Sequence, residues 1–285
     1  MTSSTTRPPA VAGMFYPDDP RELKRTIERA FSDWKFGPGA LPPVSGKRKI
    51  YGIISPHAGY PYSGAVAANA YYQISGQEFD NAVLIGPNHY GLGSGVATMR
   101  SGIWKTPFGE VQVNSKWAIE LSNNSNILDF DDFAHSRDHC LEVQLPFIQF
   151  IKSRDFDIVP IIMIMQDIDT AYSLGNTLKE TIDEHEKEST MLIGSSDLTH
   201  YEPNITAHRK DSELIKSILT LDVAKFYATL ERLDVSACGY GAIATIMVAV
   251  RALGATKGEL LKYATSGDVT GDTGAVVGYS SIVFV

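Results

Sequence analysis

Apolar residues along this chain come in two rhythms, and each rhythm predicts its own kind of element. Short, almost unbroken apolar runs occupy 49–54, 81–85, 156–164 and 190–194, most of them closed by Gly, Pro or Ser. Runs of that length and continuity predict strands covered on both faces of a sheet. Helical spacing predicts helices at 18–34, 63–74, 114–122, 139–152, 169–186, 205–219, 222–231 and 240–253. The first has Leu23, Ile27 and Phe31 on one face and an Asp18-Asp19 cap signal; Asn114 caps another, and Pro146 marks a kink or boundary in a third. Further strands are expected at 96–99, 259–266 and 276–284, with a hairpin-like piece at 102–109. Strands alternating with helices indicate an α/β fold, a single-domain sheet flanked by helices over 10–285. Residues 1–9 read as a disordered tail, 10–17 as a packed loop and 36–46 as a flexible connection.

Three of the apolar runs end alike. The run at 49–54 stops at Ser55-Pro56 and delivers His57-Ala58-Gly59-Tyr60. The run at 81–85 breaks at Gly86-Pro87 and delivers His89, and the run at 190–194 breaks at Gly-Ser-Ser and delivers Asp197 and His200. Proline cannot donate a ladder hydrogen bond, so these breaks end strands, and ligands bind outside the carboxyl ends of strands in open α/β sheets. A single loop histidine is ordinarily a structural one. Three at equivalent strand ends point to one site, because imidazole is the commonest metal ligand and base near neutral pH. Cys238 stands at a glycine turn before an apolar helix, whose N-terminus is expected to lower its thiol pKa. Asp197 is spaced to orient His200 if the turn between them is helical. In the segment 138–146, His139 and Glu142 need partners if their face is buried.

The 285 residues carry a net charge of −8 with no basic cluster, which excludes phosphate-driven nucleic-acid binding. No apolar stretch is long enough to span a bilayer, and the N-terminus has no signal-peptide pattern. Two cysteines, Cys140 and Cys238, are too few for a disulfide framework and fit a reducing, cytoplasmic setting.

Taken together, Pro-His57-Ala-Gly-Tyr60, Gly-Pro-Asn-His89, His139-x-x-Glu142-x-x-Leu-Pro, Ser-Ser-Asp197-x-x-His200 and Cys238-Gly resemble the Memo family in type and order. The resemblance implies a fold related to the class III extradiol (LigB-type) dioxygenases. It implies a metal site on His57, His89 and Cys238, accompanied by Asp197 and His200 as catalytic groups, with His139, Glu142 and Tyr60 supporting the ligands. A thiolate then stands where the dioxygenases hold a carboxylate, which shifts the expected metal toward iron or copper ahead of zinc and leaves dioxygenase chemistry itself behind. Animal members are associated with phosphorylated receptor tails, and prokaryotic members with a radical-SAM protein and an AMMECR-type protein.

Three functions follow as expectations. One is a metal-dependent oxidoreductase with His200 as acid and base. A second is a non-catalytic binding module that takes a phosphopeptide or another anionic ligand in a vestigial dioxygenase pocket. The third is a cysteine hydrolase using Cys238 with a histidine base, for which no nucleophile signature is present.

Overall fold

The runs at 81–85, 156–164 and 190–194 lie side by side in the middle of one mixed sheet, of twelve strands among the described residues. The computed structural model describes residues 5–43, 48–152, 154–185 and 189–285. In chain order the elements are β1 (Thr6–Arg7), α1 (Pro20–Ser32), β2 (Gly52–Ser55), α2 (Tyr60–Ile74), β3 (Asn81–Pro87), β4 (Val96–Thr98), β5 (Ile103–Thr106), β6 (Gly109–Val113), α3 (Ser115–Asn123) and β7 (Asp129–Phe130). Then come α4 (Leu145–Ile151), β8 (Asp157–Met163), α5 (Ile168–Glu184), β9 (Thr190–Ser195), β10 (His200–Glu202), α6 (Asn204–Leu219), α7 (Val223–Leu233), α8 (Tyr240–Ala252), β11 (Gly258–Thr265), α9 (Ser266–Thr270) and β12 (Val276–Phe284). Short 3-10 turns cover Asp132–His135 and Glu142–Gln144.

Along the main path of the sheet the order is β1-β5-β6-β8-β3-β9-β2-β12-β10. The four neighbours β8, β3, β9 and β2 run parallel, and β12 is antiparallel to β2. Side chains alternate across a strand, so these runs are apolar throughout because both faces are covered. Ala82 and Leu84 of β3, Met191 and Ile193 of β9 and Ile53 of β2 pack with residues of α1, α2 and α4. Val83 and Ile85, Leu192 and Ile54 pack on the other face with residues of α5, α6, α7 and α8. The result is a sheet between two helical layers. Pro160 lies within β8, a place a central strand rarely tolerates. It falls where β8 leaves β6, last paired at Ile158, for β4, first paired at Ile161. No donor is wanted from β6 or β4 at that point.

The predicted elements reappear with shifted ends. Asp19 caps α1 through Arg21 and Glu22, and Asn114 caps α3 through Trp117. Pro146 sits in the first turn of α4 and follows a 3-10 turn, so the expected helix from 139 begins only at Leu145. The connection expected at 36–46 is irregular over 36–43, and the rest of it lies outside the described residues. The tail expected over 1–9 needs correcting for its described part. Thr6 and Arg7 pair in parallel with Ile103 and Trp104, and Arg7 is buried in an ion pair with Glu142. Residues 1–4 lie outside the described residues. No helix among the described residues is long and apolar enough to cross a membrane.

Candidate metal centre

Parallel strands bring their carboxyl ends to one edge, and here three neighbours each deliver a polar residue at the same offset. β2 ends at Ser55, β3 at Pro87 and β9 at Ser195; His57, His89 and Asp197 stand two residues beyond. Cys238 arrives from the loop ahead of α8. Its approach depends on Gly239, where a Cβ would lie 2.4 Å from the Ser195 carbonyl oxygen and 2.9 Å from Ser196 Cβ. Only a residue without a side chain lets that loop lie against the end of β9.

His57, His89 and Cys238 offer ligand atoms that all lie within 4.8 Å of one another. Cys238 Sγ is 3.1 Å from His57 Nε2, and the His57 and His89 rings meet edge to face with centroids 5.1 Å apart. A tetrahedral ion with bonds of about 2.3 Å to sulfur and 2.0–2.1 Å to nitrogen needs the two atoms about 3.5 Å apart. A few tenths of an ångström of opening would admit one. Asp197 locks this corner from three sides. Its Oδ1 accepts from the His57 N–H at 2.8 Å, its N–H points at Cys238 Sγ at 3.3 Å, and its carbonyl accepts from the Cys238 N–H at 3.3 Å.

A second grouping, His89, Asp138 and His139, has the same closeness. Its carboxylate is already engaged. Asp138 Oδ2 accepts from the His89 N–H at 2.7 Å, Oδ1 accepts from the Cys140 N–H at 3.0 Å, and His89 Nδ1 lies 3.1 and 3.2 Å from the two oxygens. Asp138 therefore holds the Nδ1–H of His89 and leaves Nε2 as the nitrogen that could take a metal, the arrangement of a carboxylate–histidine support. His139 lies flat on His89 (centroids 4.7 Å apart, planes 18° apart), edge-on to His57, and against Phe15.

Burial sets the charges. Desolvation, with the neighbouring His89, drives His57 well below its usual pKa, and desolvation with His57 and His89 lowers His139 to about 4. Both rings are neutral at pH 7, the form that binds metals. Burial alone would raise Asp138, yet the hydrogen bonds and charge of His89 hold it below the usual carboxylate range. Burial and the Asp197 carboxylate push the Cys238 thiol up, so the lowering expected from the following helix is overridden. A dipole of about half a charge does not offset removal from water. A bound cation would reverse that balance, since a coordinating thiol loses its proton outright.

The other sequence candidates fall into place around this cluster. The stretch between Asp197 and His200 is not helical, and His200 opens β10. Its Nδ1 lies 2.7 Å from the Leu198 carbonyl and 2.9 Å from that of Ser236, so two carbonyls, not Asp197, orient the ring through its Nδ1–H. Glu142 turns away from the ligands. It binds Arg7 at 2.6 Å and accepts from the Ala10 and Val11 N–H groups and the Tyr16 hydroxyl. Tyr60 donates to the Val143 carbonyl at 2.7 Å, one layer behind the ligands. Sequence reasoning gave no role to Asp138, Ser195 or Gln144. Ser195 Oγ lies 2.9 Å from His57 Nδ1 and accepts from Gln144 Nε2 at 2.9 Å. The one available signal was position, since Ser195 ends a strand and Asp138 adjoins His139.

A cavity of about 460 Å³ opens beside His139, lined also by Met14, Phe15, Tyr90 and Arg137. Another, of about 490 Å³, lies at the opposite end of β8 around Asp157 and Lys152 and contains no histidine or cysteine.

Comparison with known proteins identifies the family. The family model described as "Memo-like protein" matches residues 7–283. The chain is 48% identical over 279 residues to a MEMO1 family protein of Nitrosopumilus maritimus, covering 98% of this chain and 99% of that one. It is 47% identical over 281 residues to one of Methanopyrus kandleri, covering 98% of each. Among solved structures, an uncharacterised protein from Escherichia coli K12 is similar in fold alone, with a TM-score of 0.55 and 14% identity over 83% of this chain and 100% of that one. With a family match spanning nearly its whole length and relatives 48% and 47% identical over nearly all of both chains, the chain belongs to the Memo-like protein family.

Proposed function

We propose that this protein binds a single redox-active metal ion, iron or copper ahead of zinc, through His57, His89 and Cys238, and that it serves as a metal-dependent oxidoreductase of LigB-type ancestry. The observation that carries the reading is the convergence of two imidazoles and one thiol, from two strand ends and a glycine-backed loop, within 4.8 Å. The thiolate is a soft ligand and favours copper(I) or iron–sulfur-type bonding over the hard-oxygen metals. Such an ion would supply electron exchange and Lewis-acid polarisation. The chain supplies the rest. Asp138 fixes His89, the Asp197 main chain fixes Cys238, and His200 Nε2 is the free base for a proton beside the cluster. We place the protein in a reducing cytoplasm, where the free Cys140 and Cys238 persist as thiols, and extend to it the link with radical-SAM and AMMECR-type proteins.

The test is metal uptake. Protein purified without a metal-affinity tag and reconstituted anaerobically with Fe(II) or Cu(I) is expected to retain one ion per chain. His57→Ala and Cys238→Ala are expected to retain none. Absence of uptake by the unmodified chain would sink the reading.

The cavity beside His139 favours a second reading, a binding site for an anionic or phosphorylated peptide. Arg137 is exposed at its wall, and Phe15 and Tyr90 offer ring faces. In that case a phosphopeptide binds equally well to the unmodified chain and to Cys238→Ala, and Arg137→Ala weakens it.

A further inference from the structure

Hydrogen-bond accounting around Ser195 determines which His57 nitrogen carries the proton. Ser195 is fully buried, and its Oγ has three polar neighbours: the Cys140 carbonyl at 2.7 Å, Gln144 Nε2 at 2.9 Å and His57 Nδ1 at 2.9 Å. The Gln144 amide has only one workable orientation. Its Nε2 donates to the Pro56 carbonyl at 2.9 Å, and its Oε1 accepts from the Tyr71 hydroxyl at 2.5 Å. Gln144 is therefore a donor to Ser195. The Cys140 carbonyl can only accept, and two oxygens 2.7 Å apart with no hydrogen between them repel. The single Ser195 hydrogen must lie on that line. What remains on Oγ is acceptor capacity, one share for Gln144 and one for His57.

We infer that Ser195, set by Gln144 and the Cys140 carbonyl, is the positioning residue that fixes His57 as its Nδ1–H tautomer and keeps Nε2 bare toward Cys238. Asp197 takes the His57 backbone N–H and leaves the ring to Ser195. The three histidines thus share one tautomer by three devices: a carboxylate at His89, two carbonyls at His200 and a hydroxyl at His57. Without the hydroxyl, a buried Nδ1–H would have no partner. The ring would do better with its proton on Nε2, where Cys238 Sγ accepts, and that nitrogen would then be closed to a metal.

The consequence for metal rests on the reading above, whereas the tautomer does not. Long-range ¹H–¹⁵N NMR of the metal-free protein, with the His57 signal identified by its loss in His57→Ala, reads the tautomer directly. The wild-type ring is expected as Nδ1–H, Ser195→Ala as Nε2–H, and Ser195→Thr, which keeps the hydroxyl, as Nδ1–H. Anaerobic Cu(I) titration is expected to show affinity about 10- to 100-fold lower in Ser195→Ala than in wild type, the usual effect of losing a ligand's hydrogen-bond partner. An Nε2–H ring in wild type overturns the inference even if no Ser195 variant folds, and so does an Nδ1–H ring in folded Ser195→Ala. A wild-type Nδ1–H ring in a protein that takes up no Cu(I) upholds the tautomer and removes the metal reading instead.

Discussion

Asp138 shows how much one side chain can settle. Its two oxygens take up the backbone N–H groups of His89 and Cys140 and the His89 ring N–H, so one carboxylate sets both the loop and the imidazole. Asp138→Asn keeps the shape but must present an NH₂ group to a donor. Metal affinity is expected to fall about 10- to 100-fold. An N–H left unpaired in the interior is expected to cost a further 1–3 kcal/mol or so of stability. Anaerobic titration and denaturant unfolding measure the two effects separately. Gly239 is the second such position. Gly239→Ala drives a methyl group into the Ser195 carbonyl and must push the Cys238 loop outward. Cys238 in that variant is expected to react faster with a thiol reagent than in the metal-free wild type; an unchanged rate would mean the loop does not depend on close approach.

At the scale of elements, the least legible piece matters most to the site's support. Arg7 lies in a polar N-terminal stretch with no periodicity, so nothing local marks it as anything but a tail. In the fold its guanidinium bonds Glu142 at 2.6 Å and the carbonyls of His135 and Asp138 at 2.7 and 2.6 Å, and lies 4.0 Å over the Trp104 ring. β1 is therefore tied to the segment that carries Asp138 and His139. Breaking a buried ion pair from one side costs about 3–5 kcal/mol, so Arg7→Ala is expected to lose that much in denaturant unfolding. A loss below about 1 kcal/mol would show that the pair does not hold the N-terminal strand. By contrast, β2, β3, β8 and β9 were legible because burial on both faces leaves an unbroken apolar signature, and α1 because Leu23, Ile27 and Phe31 sit on one stripe. The candidate histidines His57 and His89 were legible because strand-ending Pro and Gly precede them. Glu142 was not, because a buried acid signals only that a partner exists and never which one; its partner lay 135 residues away. The same holds for Ser195, whose role comes from neighbours on two other segments.

For the molecule as a whole, the site is assembled where parallel strands end, and the protein keeps several histidines there and nearby in their neutral form. Burial, with the charge of Arg7, lowers His135 to about 3; burial lowers His139 to about 4 and His57 well below its usual value. In the unfolded chain these rings titrate near 6.5, so below that pH the unfolded state binds more protons than the native one. Stability of the metal-free protein is thus complete above about pH 6.5 and is lost as pH falls toward 4 and then 3. Each ring contributes a slope of up to about 1.4 kcal/mol per pH unit. Denaturant unfolding at pH 7.5, 6 and 5 checks this, and a flat profile would contradict neutral burial. The central claim concerns the ligand set, and X-ray absorption fine structure of the Cu(I)- or Fe(II)-reconstituted protein tests it most directly. The account predicts one sulfur scatterer in the first coordination sphere together with imidazole nitrogens, and loss of the sulfur in Cys238→Ala. A wild-type spectrum with nitrogen and oxygen scatterers alone would contradict it.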